Sequence, residues 1–397
     1  MSRAVPYRRI RVSGTAHERG VQYGQQAREE VLHCRTAYEE AFQKSVGWTW
    51  AQAVEATSHL VAPVEDAFPQ YLDEMRGIAE GTGVTFEDVF TMNARTEVIW
   101  AATVRQSEAE RAWLARECSA FALLPSRTED GHTLVGQNWD WLVHSFDSLV
   151  VLEVEQPDLP NFVTVVEAGL LAKSTMNSAG LGVAVNALVT SADTAQPGIP
   201  FHVLIRAFAD CESLSDAVYI ASHHVRSSSG NYLIGHADGI AVNLETVPGD
   251  YRGITPILPV DDALVHTNHF VRDVPGSRDV AHYAMADSLV RLQLVQRSIA
   301  ESIAPLTVDA LRCALSDHAD FPAAVCCHPD PREPRWQQWA TVMSVVLDLD
   351  ARTMYLSDGN PCQNEYRSLT FEGLLDKPSR LAVLREQLEG GSRDIAS

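Results

Sequence analysis

The sequence predicts an α+β protein in which helices are layered over β-sheet. Three observations support this fold class. Helical patterns dominate the first 110 residues, short apolar runs typical of strands begin near residue 118, and two later pairs of helices interrupt those strands. The compositional change near residue 115 is the single boundary that we mark, because we find no internal repeat and no low-complexity linker.

The N-terminal third begins with a possible short strand over residues 7–13 and continues as helix. Apolar residues recur there at helical spacing among Glu, Arg and Gln, which predicts amphipathic helices. Gly81-Thr-Gly83 is typical of a helix C-terminus, and Thr85-Phe-Glu-Asp88 of a capping box that opens the next helix. The predicted helices cover about residues 17–43, 48–60, 64–80 and 85–100.

After about residue 118, the sequence pattern predicts mainly strands. Asp238-Gly239 lies between two apolar runs, as in a hairpin turn. The glycine-rich stretch 177–182 is interpreted as a turn and not as a phosphate loop, because no lysine follows it. A polar, charged tail follows Asp376. Strands are predicted at 150–155, 162–167, 183–186, 232–236, 240–244, 263–270, 341–347 and 353–356, and helices at 200–211, 213–221, 281–303 and 307–316.

Residues 117–141 form the stretch around which the rest is organised. Two apolar runs flank a polar turn that ends in Asp130-Gly131, a strong hairpin signal. Antiparallel pairing about this turn would bring Asn138 and Asp140 within a few residues of Cys118. A thiol facing an acid and an amide is a candidate catalytic group, although a buried core cysteine is the alternative interpretation.

Length, composition and charge exclude several classes of function. The 397 residues are 46% hydrophobic and 21% charged, as in an ordinary globular protein of one to three domains. A formal net charge of −21 argues against sequence-independent nucleic-acid binding and against anionic membranes. It also weakly disfavours polyanionic cosubstrates, unless a local basic pocket exists.

The sequence also favours a reducing compartment. No apolar run reaches the roughly 18 residues that span a bilayer, and no apolar segment follows the basic N-terminus as in a signal peptide. Seven cysteines are an odd number, spread thinly over a long chain, which suits the cytoplasm better than a disulfide framework. We therefore expect a cytoplasmic protein that does not bind membranes.

Other candidate clusters give weaker signals. Cys326-Cys327-His328 lacks a second Cys/His pair at a spacing typical of zinc sites, so we expect no metal and no cofactor. His266 and His269 would lie on opposite faces of one strand and could not share an ion without a bulge. His223-His224 lies near a predicted helix end, which indicates a helix cap or a pair of surface residues. A Gly-x-Ser-x-Gly elbow is absent, and no histidine is tied to Cys118 by sequence.

Several motifs occur together in an order that resembles a known family. The chain is similar over roughly residues 10–370 to the C45 peptidases, the family of the acyl-coenzyme A:6-aminopenicillanic acid acyltransferases. The most specific element of this resemblance is Cys118 together with Gly136-Gln-Asn-Trp-Asp140. The motifs are Glu18-Arg-Gly20…Gly24, Gly77-Ile-Ala-Glu-Gly-Thr-Gly-Val84…Asn93-Ala-Arg95, Glu117-Cys-Ser-Ala-Phe121, Gly136–Asp140, His266-Thr-Asn-His-Phe270 and Cys326-Cys-His-Pro329.

This resemblance implies an N-terminal-nucleophile αββα sandwich, with two antiparallel sheets between helical layers, made as an inactive precursor. Cys118 would attack the Glu117 carbonyl, and water would then release residues 1–117 as a helical chain that stays bound to the catalytic chain 118–397. The freed α-amino group has a reference pKa of about 7.7–8.0, so it can act as a general base at neutral pH. This would account for the missing histidine. A higher oligomer is also possible.

The resemblance also assigns roles to two further residues. Asp140 would orient the new amine and thiol, and Asn268 would donate to the oxyanion; their alternatives are a structural acid and a turn residue. The family's catalytic arginine has no counterpart here, since its position falls near Gln338 and Arg335 is out of register. We therefore predict a self-processing cysteine amidohydrolase or N-acyltransferase acting on a small-molecule amide, with hydrolysis favoured. Because Glu117 stands where the acyltransferase has glycine, an unprocessed small-molecule binding or scaffold protein is the alternative.

Overall fold

The computed structural model describes residues 6–103, 118–281, 285–302 and 305–393. The prediction that concerns Glu117 therefore lies outside the described residues, whereas Cys118 is described. The described N-terminal segment consists of one strand and a series of helices. These are β1 (Arg8–Ser13), α1 (Ala16–Gln26), α2 (Arg28–Val46), α3 (Trp50–Thr57), α4 (Val61–Ala67), α5 (Pro69–Thr82), α6 (Phe86–Asn93) and α7 (Arg95–Thr103).

Strands and helices alternate in the rest of the chain. The strands are β2 (Ser119–Leu123), β3 (Leu134–Leu142), β4 (Leu149–Glu155), β5 (Phe162–Glu167), β6 (Ser174–Asn177), β7 (Leu181–Ala187), β8 (Gly230–His236), β9 (Ile240–Thr246), β10 (Ile254–Ile257), β11 (Ala263–His266), β12 (Trp339–Asp348), β13 (Thr353–Ser357) and β14 (Arg367–Thr370). The helices are α8 (Phe201–Ala209), α9 (Leu214–His223), α10 (Asp287–Ala300), α11 (Val308–Leu315) and α12 (Arg380–Arg393).

The described strands form two sheets. The larger has the order β1-β4-β5-β6-β7-β8-β9-β10, and the smaller has the order β11-β2-β3-β12-β13-β14. All neighbours are antiparallel except β1 and β4, which run parallel. The predicted hairpin is confirmed, because β2 pairs with β3 and Ser119 lies opposite Asn138.

The two sheets stack face to face, with helices on both outer sides. β2 and β3 of the smaller sheet contact β7 and β8 of the larger one. The outer face of the smaller sheet, with Phe121, Leu123 and Leu134, shares a hydrophobic core with α10 and α11. On the other side, α2 contacts β5 and α8 contacts β6 and β7 of the larger sheet. The predicted αββα class is therefore confirmed.

The N-terminal segment is bound to the larger sheet by buried contacts. β1 is an edge strand of that sheet, paired with β4 from Arg8↔Val150 to Ser13↔Glu155. Arg95 Nη2 lies 3.3 Å from Glu167 Oε2, and both side chains are almost fully buried. The Tyr38 hydroxyl donates to the same carboxylate over 2.8 Å. A buried charge needs its partner, so these contacts tie the helical layer to the sheet.

α1 and α5 cross at unusually close range, which explains the paired glycines of the N-terminal motifs. A Cβ added at Gly20 would lie 2.1 Å from the Glu74 carbonyl oxygen, and one at Gly77 would lie 2.3 Å from the His17 carbonyl oxygen. Gly24 and Gly81 are equally crowded by backbone of the facing helix. Only glycine admits this backbone-to-backbone approach.

Several predicted elements are shorter or more broken than expected. The predicted helix 17–43 divides at Ala27, and the predicted helix 64–80 is interrupted at Phe68 because Pro69 starts a new helix. The strand predicted over 263–270 ends at His266. The polar tail contains α12, and β6, β10 and β14 were not predicted. Within the described residues, no helix is both long and apolar enough to span a membrane.

Candidate active site

Cys118 lies at the start of β2 in a strained backbone conformation. Its φ is +44°, in the left-handed region that residues other than glycine seldom adopt. The side chain is fully buried and belongs to the core between the two sheets. A left-handed non-glycine residue costs of order 1–3 kcal/mol and persists only where surrounding contacts hold it. The nucleophile predicted from the sequence is thus a strained residue inside the protein.

The amide that reaches the thiol is Gln137, not Asn138. Gln137 Nε2 lies 3.8 Å from Cys118 Sγ, and its Oε1 accepts from the Val185 N–H over 2.9 Å, which directs the NH₂ group to sulfur. Successive residues of a strand point to opposite faces. Asn138 therefore points to the outer face, where its Nδ2 donates to the carbonyls of Leu315 and Val325 at 2.8 Å.

Two buried donors hold the carbonyl oxygen of Cys118. Asn186 Nδ2 donates to it over 3.0 Å, and Arg291 Nη1 donates over 2.9 Å. Burial alone would lower the pKa of Arg291, but the nearby carboxylates of Asp287 and Asp140 raise it above its ordinary value. Arg291 is therefore a permanent cation beside the Cys118 backbone.

Asn268 follows β11 and joins the same network through Arg291. Arg291 Nη2 donates to Asn268 Oδ1 over 2.9 Å, and Asn268 Nδ2 donates to the Ala187 carbonyl over 3.0 Å. Its backbone N–H donates to Ser288 Oγ over 2.7 Å. The predicted oxyanion donor is thus buried, held at both ends of its amide, and linked to Cys118 by one guanidinium.

Asp140 is buried on β3. The Thr341 hydroxyl donates to Asp140 Oδ1 over 2.6 Å and itself accepts from the Cys327 backbone N–H over 2.8 Å. The charge of Asp140 is among those that raise the pKa of Arg291. Cys118, Asn268 and Asp140 therefore share one cation as neighbour, which their separate places in the sequence do not reveal.

Gln338 and Arg335, near the position of the family's arginine, lie in a different environment from Cys118. Gln338 Nε2 donates to the carbonyls of Asp330 and Glu333, and Arg335 lines a cavity of about 290 Å³ with Lys44 and His144. Arg291 of α10 is the buried guanidinium that contacts Cys118. Sequence reasoning missed it because a single arginine in an amphipathic helix carries no distinguishing signal.

His266 and His269 flank Asn268, and His269 shares Ser288 Oγ with the Asn268 backbone N–H. His266 Nε2 lies 2.8 Å from Glu245 Oε1, and His269 Nδ1 lies 2.8 Å from Ser288 Oγ, so the two rings have separate partners. A surface cavity of about 900 Å³, lined by α9 and by residues such as Leu124 and Leu258, lies at the opposite end of β2 from Cys118. We assign it no part in the chemistry.

Comparison with known proteins gives consistent relatives. The family model "Acyl-coenzyme A:6-aminopenicillanic acid acyl-transferase" matches residues 126–363. The chain is 25% identical over 368 residues to the acyl-coenzyme A:6-aminopenicillanic-acid-acyltransferase 40 kDa form of Emericella nidulans, covering 92% of this chain and 96% of that protein. It is 25% identical over 321 residues to the β-alanyl-dopamine/carcinine hydrolase of Drosophila melanogaster, covering 76% and 79%.

Two solved structures are also similar. A mutant form of the conjugated bile acid hydrolase from Clostridium perfringens aligns with 66% of this chain and 98% of its own, at 12% identity and a TM-score of 0.42. Penicillin V acylase from Agrobacterium tumefaciens aligns with 66% of this chain and 88% of its own, at 13% identity and a TM-score of 0.40.

Proposed function

The chain belongs to the acyl-coenzyme A:6-aminopenicillanic acid acyl-transferase family and is an amide hydrolase or N-acyltransferase, and from this premise we propose that it processes itself before Cys118 and then cleaves a small-molecule amide through a Cys118 thioester. The observation that carries the proposal is the position of Cys118, strained at φ +44° and held by Gln137, Asn186 and Arg291.

Self-cleavage begins with attack of Cys118 Sγ on the Glu117 carbonyl carbon. The C–S bond forms, the carbonyl becomes an oxyanion, and the Cys118 nitrogen leaves with the proton given up by the thiol. The product is a thioester between Glu117 and Cys118 Sγ with a free α-amino group on Cys118. Breaking this peptide bond removes the left-handed constraint on Cys118, so stored strain of about 1–3 kcal/mol favours the step.

Water then completes the processing. It adds to the thioester carbonyl, the C–S bond breaks, and Glu117 becomes the C-terminal carboxylate of residues 1–117 while the thiol is regenerated. The new α-amino group has a reference pKa of about 7.7–8.0, so it is partly neutral at physiological pH and can accept the thiol proton in later turnovers. The nucleophile thus carries its own base.

The same network serves the amide substrate. Attack by Cys118 Sγ on the substrate carbonyl generates an oxyanion, to which Asn268 Nδ2 donates after exchanging its present bond to the Ala187 carbonyl. Collapse of the oxyanion breaks the C–N bond, and the amine leaves with the proton that the α-amino group took from the thiol. Water then hydrolyses the acyl thioester and regenerates the thiol. Gln137 Nε2 donates toward the sulfur and stabilises its thiolate form. Asp140 and Arg291 are positioning residues that hold this arrangement by opposite charges.

The two products of processing stay together in this proposal. Residues 1–117 contribute β1 to the larger sheet and Arg95 to the buried Glu167 carboxylate. Separation would leave Glu167 buried without its cation and would expose the apolar faces of the helices. Loss of one partner of a buried ion pair typically costs about 3–5 kcal/mol, so we expect the fragments to separate only in denaturant.

Hydrolysis is the favoured fate of the substrate thioester. The net charge of −21 disfavours coenzyme A thioesters as donors. The test is product partitioning by mass spectrometry with a simple acyl amide donor and rising concentrations of small amines, with Cys118→Ala as the blank. We expect free acid to dominate. Saturable formation of the N-acyl product at millimolar amine would identify an acyltransferase instead, because a bound amine has a high effective molarity.

The alternative expectation from the sequence, an unprocessed binding or scaffold protein of the same fold, would require that this chain has lost the enzymatic activity of its family. It is favoured by Glu117, which stands where the acyltransferase has glycine. Intact mass decides between the two: an enzyme of the proposed kind yields a 117-residue and a 280-residue chain, whereas a binding protein stays at 397 residues.

A further inference from the structure

Four potential metal ligands from two separate loops meet near the smaller sheet. His318, Cys326 and His328 lie between α11 and β12, and Cys362 follows β13. One ligand atom from each of the four lies within 4.8 Å of the other three. The fold therefore brings to Cys326 and His328 the second Cys/His pair that their sequence neighbourhood lacks.

Four of the six distances between these atoms lie within about 0.3 Å of the edges of a tetrahedron around one ion. Zinc at its usual bond lengths separates two sulfur ligands by about 3.8 Å, sulfur and nitrogen by about 3.5 Å, and two nitrogens by about 3.3 Å. Cys326 Sγ lies 3.5 Å from Cys362 Sγ. His328 Nε2 lies 3.6 Å from Cys326 Sγ, 3.4 Å from Cys362 Sγ and 3.0 Å from His318 Nε2.

The surrounding backbone holds the ligands in place. Cys326 N–H donates to the Asp317 carbonyl over 3.0 Å, and His328 N–H donates to the Pro322 carbonyl over 3.0 Å. Asn360 Nδ2 lies 3.6 Å from Cys326 Sγ, so its N–H is directed to a sulfur that would carry negative charge when it binds a metal. The ligand loop is therefore ordered by contacts other than the ligands themselves.

We propose that His318, Cys326, His328 and Cys362 bind one Zn²⁺ ion in a structural site. Two thiolates and two imidazoles form a donor set that favours zinc among the common divalent ions. Four protein ligands fill a tetrahedral shell and leave no position for water or substrate, so the ion would stabilise the fold and take no part in bond cleavage.

The proposed zinc site is next to Cys327, the residue whose backbone holds the hydrogen-bond partner of Asp140. Cys327 stands between the ligands Cys326 and His328, and its N–H donates to Thr341 Oγ1, which donates to Asp140 Oδ1. The Cys327 carbonyl accepts from Asn360 Nδ2 over 2.7 Å, two residues before the ligand Cys362. Zinc would thus fix the two ligand loops on both sides of Cys327, which donates to Thr341.

The test measures the zinc content of the purified full-length protein by inductively coupled plasma mass spectrometry. Wild type should carry about one zinc per chain. Cys362→Ser and His318→Ala remove one ligand each at partly exposed or exposed positions, and both should lose most of the zinc. Cys313→Ser, an exposed cysteine of α11 outside the cluster, is the matched control and should keep it.

A second measurement guards against variants that fail to fold. Wild type stripped by a chelator should regain one equivalent of added Zn²⁺, melt at a higher temperature once reloaded, and show the visible bands of tetrahedral thiolate coordination with Co²⁺. A disulfide between Cys326 and Cys362, seen as a loss of two hydrogens in the intact mass, would overturn the proposal. So would a chain that neither contains nor takes up zinc.

Discussion

Arg291 Nη2 donates to Asn268 Oδ1 over 2.9 Å, and this contact sets the direction of the Asn268 amide. A guanidinium has only donors, so it must face the amide oxygen and leave the NH₂ group directed away from it. The same guanidinium donates through Nη1 to the Cys118 carbonyl. One buried side chain therefore fixes the orientation of the Asn268 amide relative to the Cys118 backbone.

Self-cleavage is the first prediction. Purified wild type should appear as a 117-residue and a 280-residue chain, with Cys118 at the second N-terminus, because attack by Sγ relieves the strain at that residue. Cys118→Ala should stay a single chain, and Cys313→Ser should process like wild type. The measurement is intact mass with N-terminal sequencing. Wild type that stays whole after long incubation would contradict processing.

Arg291→Lys should slow both self-cleavage and turnover. Lysine keeps the charge but cannot donate in two fixed directions, to the Cys118 carbonyl and to Asn268, as the planar guanidinium does. We expect a rate loss of roughly 10²-fold, the lower end for a single oxyanion donor, since the orientation of Asn268 is lost. Rates are measured in a time course of precursor mass and by product release.

The control for that change lies on the same helix. Arg297→Lys alters an exposed arginine of α10 and should leave both rates unchanged. Equal effects of the two substitutions would show that α10 is merely sensitive to mutation, and normal rates in Arg291→Lys would exclude the positioning role.

Asp140→Asn should lower turnover strongly while thermal melting changes little. Asparagine keeps the size of the side chain and can still accept from Thr341 Oγ1, but it removes the negative charge beside Arg291. Turnover per folded molecule and the melting temperature are measured on the same preparation. A large loss of stability with normal activity per folded molecule would instead make Asp140 a structural acid.

Asn268→Ala should slow acylation by roughly 10²–10³-fold, the usual effect of removing one oxyanion donor. The loss should appear in kcat more than in KM, because the contact forms with charge that develops during the reaction. Since hydrolysis and transfer share acylation, the ratio of acid to N-acyl product should not change. A changed ratio with normal acylation would place Asn268 elsewhere in the mechanism.

Gly20→Ala should destabilise the protein, against the sign expected from helix propensity. In an open helix, Gly to Ala gains about 1 kcal/mol. Here the new Cβ would lie 2.1 Å from the Glu74 carbonyl oxygen of the facing helix, and overpacking of this kind typically costs about 1–3 kcal/mol. Thermal and denaturant unfolding measure the sign. A stabilised variant would mean that α1 and α5 separate easily.

The sequence alone identified the elements whose signals are local. Cys118 and Asp140 were predicted to come together because a hairpin with an Asp-Gly turn joins them, and the structure pairs β2 with β3 as expected. The αββα class and Asn268 followed from motif resemblance, and the structure places Asn268 in the network of Cys118. The hairpin signal spans few residues, so strand alternation and turn chemistry carry it, whereas Asn268 and the αββα class depended on the order of motifs along the chain.

Tertiary structure alone decided which distant side chains come together, both around Cys118 and in the proposed zinc cluster. Arg291 is 173 residues from Cys118, and Cys362 is 36 residues from Cys326. The choice of Gln137 over Asn138 depends on which face of β3 is turned to the other sheet. Such contacts arise from the packing of sheets and helices that are far apart in the chain. Since packing is set by the burial of whole faces, no short stretch of sequence encodes them.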